Sequence, residues 1–567
     1  MKARIIALLL AVVLCIGLMA GCGTQAAQSS RKSGVEQPVQ PTSEPAAEET
    51  DAPEQGPDSE PEEASLPLVS EPETFTWFVS YPPIMDNFVE TPFDDYLALA
   101  EWSKRTNVYI DWYTVSVVAE TETFNIMISS EEYTDILKSS LIQDTVDNFI
   151  DEEIIFDLTD MIKANMPNYL KLADEKADFK ESLGSETDSG RWGVVHTYVE
   201  NSMLSVGMVV RQDWLDELDM EVPVTYEDYR DVLKAFKTEK GADTALFVSN
   251  KGLMANHHLT AGYDTTGWWN TAGVIEYPMY QIDGKVQYGP TTDSFKDYLK
   301  MMASWYGDGL ISQDFVTYDF TDTTSKNECI SNGRTGMWCE KRDNLHEYDN
   351  AIEGFDLTPI ADARKTAGQQ LHFKCISFSD AAVSNDGLCI STSCENPELL
   401  LRFFDYTYGE EGMLLMNYGI EHETFEYDEN GQPQLSDMVL KSEIPALSLA
   451  LTVYTGGAFP MVGVIDNSRL FITMTDRQLY ALDIWDQNVD DSYLLPSLMT
   501  LNSDENEVVN KKLVDITTYV SEMILRFIVG EADIDEKWPE YLSTIEAQGL
   551  DEAINAYQAA YDRYMSR

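Results

Sequence analysis

The chain has 567 residues, with 98 acidic against 38 basic side chains and a formal charge of −60. That excess repels nucleic acid and anionic lipid surfaces, so neither is an expected partner. The length suits two to four domains. Cys329, Cys339, Cys375, Cys389 and Cys394 are an odd set whose spacing matches no zinc pattern, which leaves disulfides or buried thiols open and gives no metal or cofactor expectation.

Lys2 and Arg4 precede an almost unbroken apolar run over residues 5–18, and Ala20-Gly21 then leads into Cys22. This is the layout of an export signal, and the run is too short for a comfortable membrane span. Met19-Ala20-Gly21-Cys22 resembles a bacterial lipobox, which implies a signal over 1–21 and a lipid on Cys22. The plainer alternative is a secretory signal with an incidental cysteine. Residues 22–73 are rich in Pro, Ser, Ala, Gln and acid, with hardly a large apolar side chain. Such a segment cannot bury enough surface to offset chain entropy and reads as a disordered linker. A coil of this length spans roughly 40 Å.

From Thr74 onward the patterns alternate. TFTWFVSY (74–81) is a strand broken by Pro82-Pro83, 92–106 has helical spacing, and NVYIDWYTV (107–115) is a second strand. A short amphipathic helix over 121–130 and a third strand, TDIL (134–137), follow. This β-α-β-α-β rhythm predicts a parallel sheet with right-handed crossovers. Further on, Thr225 caps a helix over 226–239, Ser294 begins one over 294–311, and Pro397 sits in the first turn of another. The end of the chain, from Glu507, is almost all helical, with interruptions at Val529-Gly530 and near Pro539. No further apolar run is long enough to cross a bilayer, so a soluble body is expected.

Several segments occur in one order: FNIMISSEEYTDIL (124–137), FDLTDMIKANMPNYLK (156–171), VRQDWLDELDMEVPVTYEDY (210–229), WYGDGLISQDF (305–315), NPELLLRFFDYTYGEEG (396–412), FIVGEADIDEKWPEYL (527–542) and GLDEAINAYQAAYDRY (549–564). Together they resemble extracellular solute-binding protein family 1, the sugar-binding lipoproteins of bacterial ABC importers. Ser130-Glu131-Glu132 departs from that family's usual small turn. The resemblance implies an α/β, two-lobed fold of the type II periplasmic-binding-protein kind, with hinge-linked lobes and a helical C-terminus. Lobe one would be 74–197 plus 388–485 and lobe two 200–385 plus 490–567, with crossovers at 195–201 and near 381–387. It also implies a monomeric receptor, lipid-anchored on the extracellular face of the cell membrane, which hands a saccharide to ABC permease subunits. Alternatives are a peptide or other solute as cargo, a role as accessory receptor to a sensor kinase, or a surface glycoside hydrolase.

Sugar recognition needs flat aromatic faces ringed by fixed hydrogen-bond partners. Trp268 and Trp269, in GYDTTGWWNTAG (262–273), are adjacent in a loop-like setting and are candidates for stacking on ligand, or else a surface plug. Trp338 lies before Arg342-Asp343 in a region that the resemblance turns toward the cleft. Tyr81 follows the first strand, Tyr198 falls in the first crossover, and Tyr454 sits in the Gly-rich VYTGGAF (453–459). Asp135 could accept sugar hydroxyls or cap a helix, and Arg342 could bind a uronate or pair with a local acid. Trp102, Trp112, Trp214, Trp305 and Trp538 read as core.

Catalytic signals do not converge. Paired carboxylates carry no weight among 98 acids. There is no G-x-S-x-G elbow, H-E-x-x-H or phosphate-binding glycine loop. His257-His258 lack a third ligand, and DENGQ (428–432) reads as a hairpin turn rather than a calcium loop. No enzymatic activity is expected.

Overall fold

The computed structural model describes residues 65–566 apart from 82–84, 86, 90–92, 143–144, 250–256, 268, 272–273, 277, 319–322, 347–351, 375–381, 384–386, 445–446, 457–461 and 472. These residues fall in one compact unit, Pro61–Arg567. The chain opens with β1 (Glu73–Tyr81), α1 (Leu97–Thr106), β2 (Val108–Ser116), α2 (Glu120–Ser130) and β3 (Ile136–Lys138). It continues through β4 (Tyr198–Glu200), β5 (Val206–Arg211), α3 (Tyr226–Glu239), α4 (Asp293–Gly307), β6 (Met337–Lys341), β7 (Leu357–Ile360) and β8 (Leu388–Ile390). The remainder includes α5 (Pro397–Asp405), α6 (Glu410–Tyr418), α7 (Leu447–Tyr454), β9 (Val464–Asp466), α8 (Asp476–Trp485), α9 (Ser503–Ile528), α10 (Ile534–Ala547) and α11 (Leu550–Met565).

The first sheet has the order β8-β3-β1-β2. β1 runs parallel to β2, from Glu73↔Val108 to Tyr81↔Ser116, and parallel to β3 at Trp77↔Ile136, while β8 closes the edge antiparallel. β1 is apolar on both sides because both sides are covered. Phe75, Trp77 and Val79 enter one core cluster, and Phe78 enters a second with Phe124 and Leu137. α1 is held by Trp102, stacked on Phe403 of α5 with ring centroids 3.7 Å apart.

The second sheet is antiparallel, order β6-β5-β7. Its core takes in α3, α4 and the three C-terminal helices, with Phe236, Trp305, Leu513, Ile524 and Trp538 in a single cluster. Thr225 and Asp228 form the capping box of α3. α4 is capped by Thr292 rather than Ser294, because its hydroxyl is placed to accept the Phe295 N–H. Pro539 lies inside α10, whose packed face carries the helix past the one missing donor; the break comes instead at Gly549, with φ +96°.

Two expectations need correction. α8 packs on the second sheet, with the Trp485 indole N–H donating to the Met208 carbonyl at 3.1 Å, so a first lobe running to 485 ends one helix too late. The lobes are also joined by three crossing segments, not two. β4 pairs parallel with β9 (Tyr198↔Val464), and Tyr198 bridges Val383. Cys329, Cys339 and Cys394 are free thiols, Cys389 is buried, and Cys375 lies outside the described residues.

Candidate functional site

In an open sheet of parallel strands the helices start, and the ligand crevice opens, at the carboxyl ends of the strands. Here Ser80 and Tyr81 end β1, Glu120 begins the helix after β2, and Lys138 ends β3. The Ser80 hydroxyl donates to Glu120 Oε1 at 2.5 Å, and Lys138 Nζ lies 3.3 Å from the same oxygen. One carboxylate thus ties three adjacent strand ends together. Ser139, the next residue, is locked to Gly387 by a reciprocal pair of 2.9 Å hydrogen bonds, which joins this edge to the approach of β8. Glu120 and Lys138 keep 13% and 22% of their side chains exposed, enough to meet a ligand.

Tyr81 is half-buried at this edge. Burial, with the nearby Tyr81 adding to it, pushes the Tyr96 phenol up to about 12. Tyr198 lies in the hinge strand β4. Its ring meets Phe179 edge-on at 5.5 Å, Lys176 sits 5.5 Å from its centroid, and Lys176 pairs with Glu200 at 2.7 Å. Burial raises the Tyr198 phenol, helped by Asp178. Tyr454 ends α7, half-buried between two first-lobe core clusters.

Three candidates are placed elsewhere. Trp338 is fully buried in β6 beside Val209, Phe355 and Trp485, and its indole N–H donates to Glu340 at 2.9 Å, so it presents no face to a ligand. Arg342 is buried too, donating to Asp343 at 3.1 Å and to the Leu204 carbonyl. Asp135, inside the expected third strand 134–137, instead precedes β3. Its carboxylate accepts the backbone N–H and the hydroxyl of Thr76, both at 2.7 Å. Thr76 sits five residues short of the carboxyl end of β1, about 16 Å at strand rise.

Trp268 lies outside the described residues, and of Trp269 only the backbone is described, opening a short strand paired with residues 274–276. The loop before them is firmly held. The Gln369 amide donates to the Gly262 carbonyl at 3.0 Å, and the Thr265 and Thr292 hydroxyls meet at 3.1 Å. Asp264 turns the chain with φ +52°, and burial raises its carboxyl. A Cβ on Gly289 would run into the Thr266 carbonyl.

A polar cavity of about 250 Å³ lies between the first-lobe residues Thr145, Asn148 and Glu186 and the start of α9 at Asn502 and Ser503. The lobes touch directly there: the Asn148 amide donates to Ser503 at 2.7 Å, and Arg563 Nε lies 2.7 Å from Asp188. The sequence reasoning missed Ser80, Glu120 and Lys138. The signal was their position at strand ends, which matters only once the strands are known to be neighbours. Elsewhere, His258 is buried against Asp362 at 2.6 Å, and residues 428–432 form a hairpin turn. Among the described residues, no group of three or more His, Cys, Asp or Glu side chains could hold a metal ion, and no helix is long and apolar enough to cross a membrane.

No protein-family model matches the chain. It is 23% identical over 497 residues to the fructooligosaccharide ABC transporter substrate-binding protein FusA of Streptococcus pneumoniae serotype 4, covering 83% of this chain and 87% of that one. It is also 23% identical over 487 residues to the polygalacturonan/rhamnogalacturonan-binding protein YtcQ of Bacillus subtilis, covering 82% and 88%. Among solved structures, an extracellular solute-binding protein from Bifidobacterium longum subsp. infantis superposes with a TM-score of 0.68 at 17% identity, over 87% of this chain and 98% of that one. These homologues and neighbours are substrate-binding proteins rather than enzymes, and the α/β fold described above is theirs.

Proposed function

We infer that this chain, which belongs with the extracellular solute-binding proteins by its homologues and its fold, is the receptor of an ABC importer and captures a saccharide between its lobes. The observation that carries this reading is the joint itself. Two separately packed cores are connected by crossing segments at Tyr198, Val383 and Val464, beside the carboxyl ends of a parallel sheet. A ligand that touches both lobes only when they close favours the closed form by that difference in contacts. The cleft would be lined by Tyr81, Ser80, Glu120 and Lys138 from the first lobe, Tyr198 and Tyr454 near the hinge, and the Trp268–Trp269 loop from the second. Those lobes would be 74–197 with 388–466, and 200–385 with α8 and the C-terminal helices. Lipid on Cys22 would tether the receptor to the outer face of the membrane, residues 23–73 would hold it clear of the surface, and the permease would read the closed form.

The test is calorimetry and small-angle scattering with a panel of oligosaccharides. A bound saccharide should shrink the radius of gyration and be recovered unaltered, and Trp268→Ala should weaken its binding. Release of hydrolysed product, or an unchanged radius with a bound sugar, would overturn the reading.

A further inference from the structure

Among the described residues three aspartates have positive φ. Asp219 and Asp283 are exposed, whereas Asp264 is half-buried. Its Oδ1 is enclosed and accepts no hydrogen bond. The two basic groups whose charge reaches it are held by others. His372 Nδ1 lies 3.1 Å from both Asp490 and the Ser492 hydroxyl, and Lys365 Nζ sits 4.4 Å from the centroid of the Tyr263 ring. They offset only part of the cost, since burial still raises the Asp264 carboxyl.

The turn itself does not call for that charge. Asn and Gly adopt φ near +50° readily, and Asn107, Asn201 and Asn488 do so in this chain. A half-buried carboxylate without a donor costs free energy in the ligand-free protein, and a group of that kind persists where something else uses it. A flat surface lies beside it. The His372 and Tyr493 rings are 4.3 Å apart at 33°, both partly exposed, over a small core of Ala261, Tyr280, Leu371 and Phe373. The Asp264 charge reaches Tyr280 and Tyr493 as well. A carboxylate next to such rings is what a sugar ring matches, with hydroxyls to donate and an apolar C–H face to stack. We propose that Asp264 binds the saccharide, its carboxylate accepting a sugar hydroxyl while the His372–Tyr493 rings take the apolar face. The proposal rests on the receptor reading above and deepens it, giving the second lobe a polar anchor four residues before Trp268. The sugar gains this charge-assisted bond without displacing any protein donor.

The experiment takes detergent-solubilised full-length protein to a glycan array, then to calorimetry with the tightest-binding oligosaccharide. Asp264→Asn and Asp264→Gly both suit the left-handed turn. Each should weaken binding about tenfold or more, the loss expected for a hydrogen bond to a charged group. Asp264→Asn should also melt no lower than wild type without ligand, because it removes a charge that the fold disfavours. Asp283→Asn is the control: it takes the same charge from an exposed turn that also acts on Tyr493, and affinity should stay within about twofold. Unchanged affinity in both Asp264 variants, or an equal loss in the control, overturns the proposal and leaves the receptor reading in place. A lowered melting temperature in both Asp264 variants alongside weaker binding would make the residue structural and also overturn it. If nothing on the array binds wild type, the receptor reading falls and takes this proposal with it.

Discussion

Replacing Trp338 with Phe should lower stability and leave saccharide affinity alone. The indole N–H donates to Glu340, whose side chain is 0% exposed and also accepts Lys326 Nζ at 2.8 and 2.9 Å. Phe keeps an aromatic ring near Phe355, 6.5 Å away by centroid, but removes a donor to a buried charge. A hydrogen bond to a charged group contributes about 1.5–3 kcal/mol. The smaller ring adds about 1 kcal/mol of lost packing, comparable to a modest core truncation. The sum, about 2.5–4 kcal/mol, should move the urea midpoint of the second lobe clearly downward, read by far-UV dichroism so that the lost indole does not bias the signal. Affinity measured on the folded protein should stay within about twofold, because no cleft contact changes. An unmoved midpoint with abolished sugar binding would refute this reasoning and put the indole in the cleft.

Asp535 bridges Lys296 and Lys300 of α4 at 2.8 and 2.7 Å, and these bonds hold its carboxyl down at about 2. A depressed carboxyl stabilises the fold above its unfolded value, near 4, and that contribution disappears as pH falls toward 2. Asp535→Asn should therefore flatten the dependence of melting temperature on pH between about 4 and 2. A variant with the wild-type slope would count against the pairing. Arg563 joins Glu505 of its own lobe to Asp188 of the other. Arg563→Ala removes a partly exposed pair worth about 0.5–1 kcal/mol. It should expand the ligand-free protein in scattering and shift sugar affinity by about two- to fivefold; identical profiles would rule out a role for the pair in lobe spacing.

Much of the first lobe was legible because its strands carry their pattern within a few residues. β1, β2 and α2 lie within a residue or two of the boundaries read from alternation and helical spacing. What stayed hidden depended on neighbours distant in sequence. β9 is three residues, Val464–Asp466, whose meaning comes from pairing with Tyr198. Trp338, which the resemblance turned toward the cleft, follows Gly336 into the buried strand β6. That glycine is a packing residue, since a Cβ there would run into the Phe236 ring. The amphipathic pattern of α8 shows that it packs but not on which sheet. The choice is made by Trp485 lying over Gly207, where a side chain would collide with the indole. Glu120 and Lys138 are 18 residues apart in the chain and become a pair only when β2, β1 and β3 lie side by side.

The reciprocal bonds between Ser139 and Gly387 span 248 residues of chain. At synthesis speeds of roughly 5–20 residues per second, β3 must wait about 10–50 s for β8 to be made. During that wait the edge of β3 is unpaired, open to aggregation or to holding factors that keep newly made chains extended. A chain whose first sheet cannot finish before its second half exists is slow to become compact, which would suit the exported receptor proposed above.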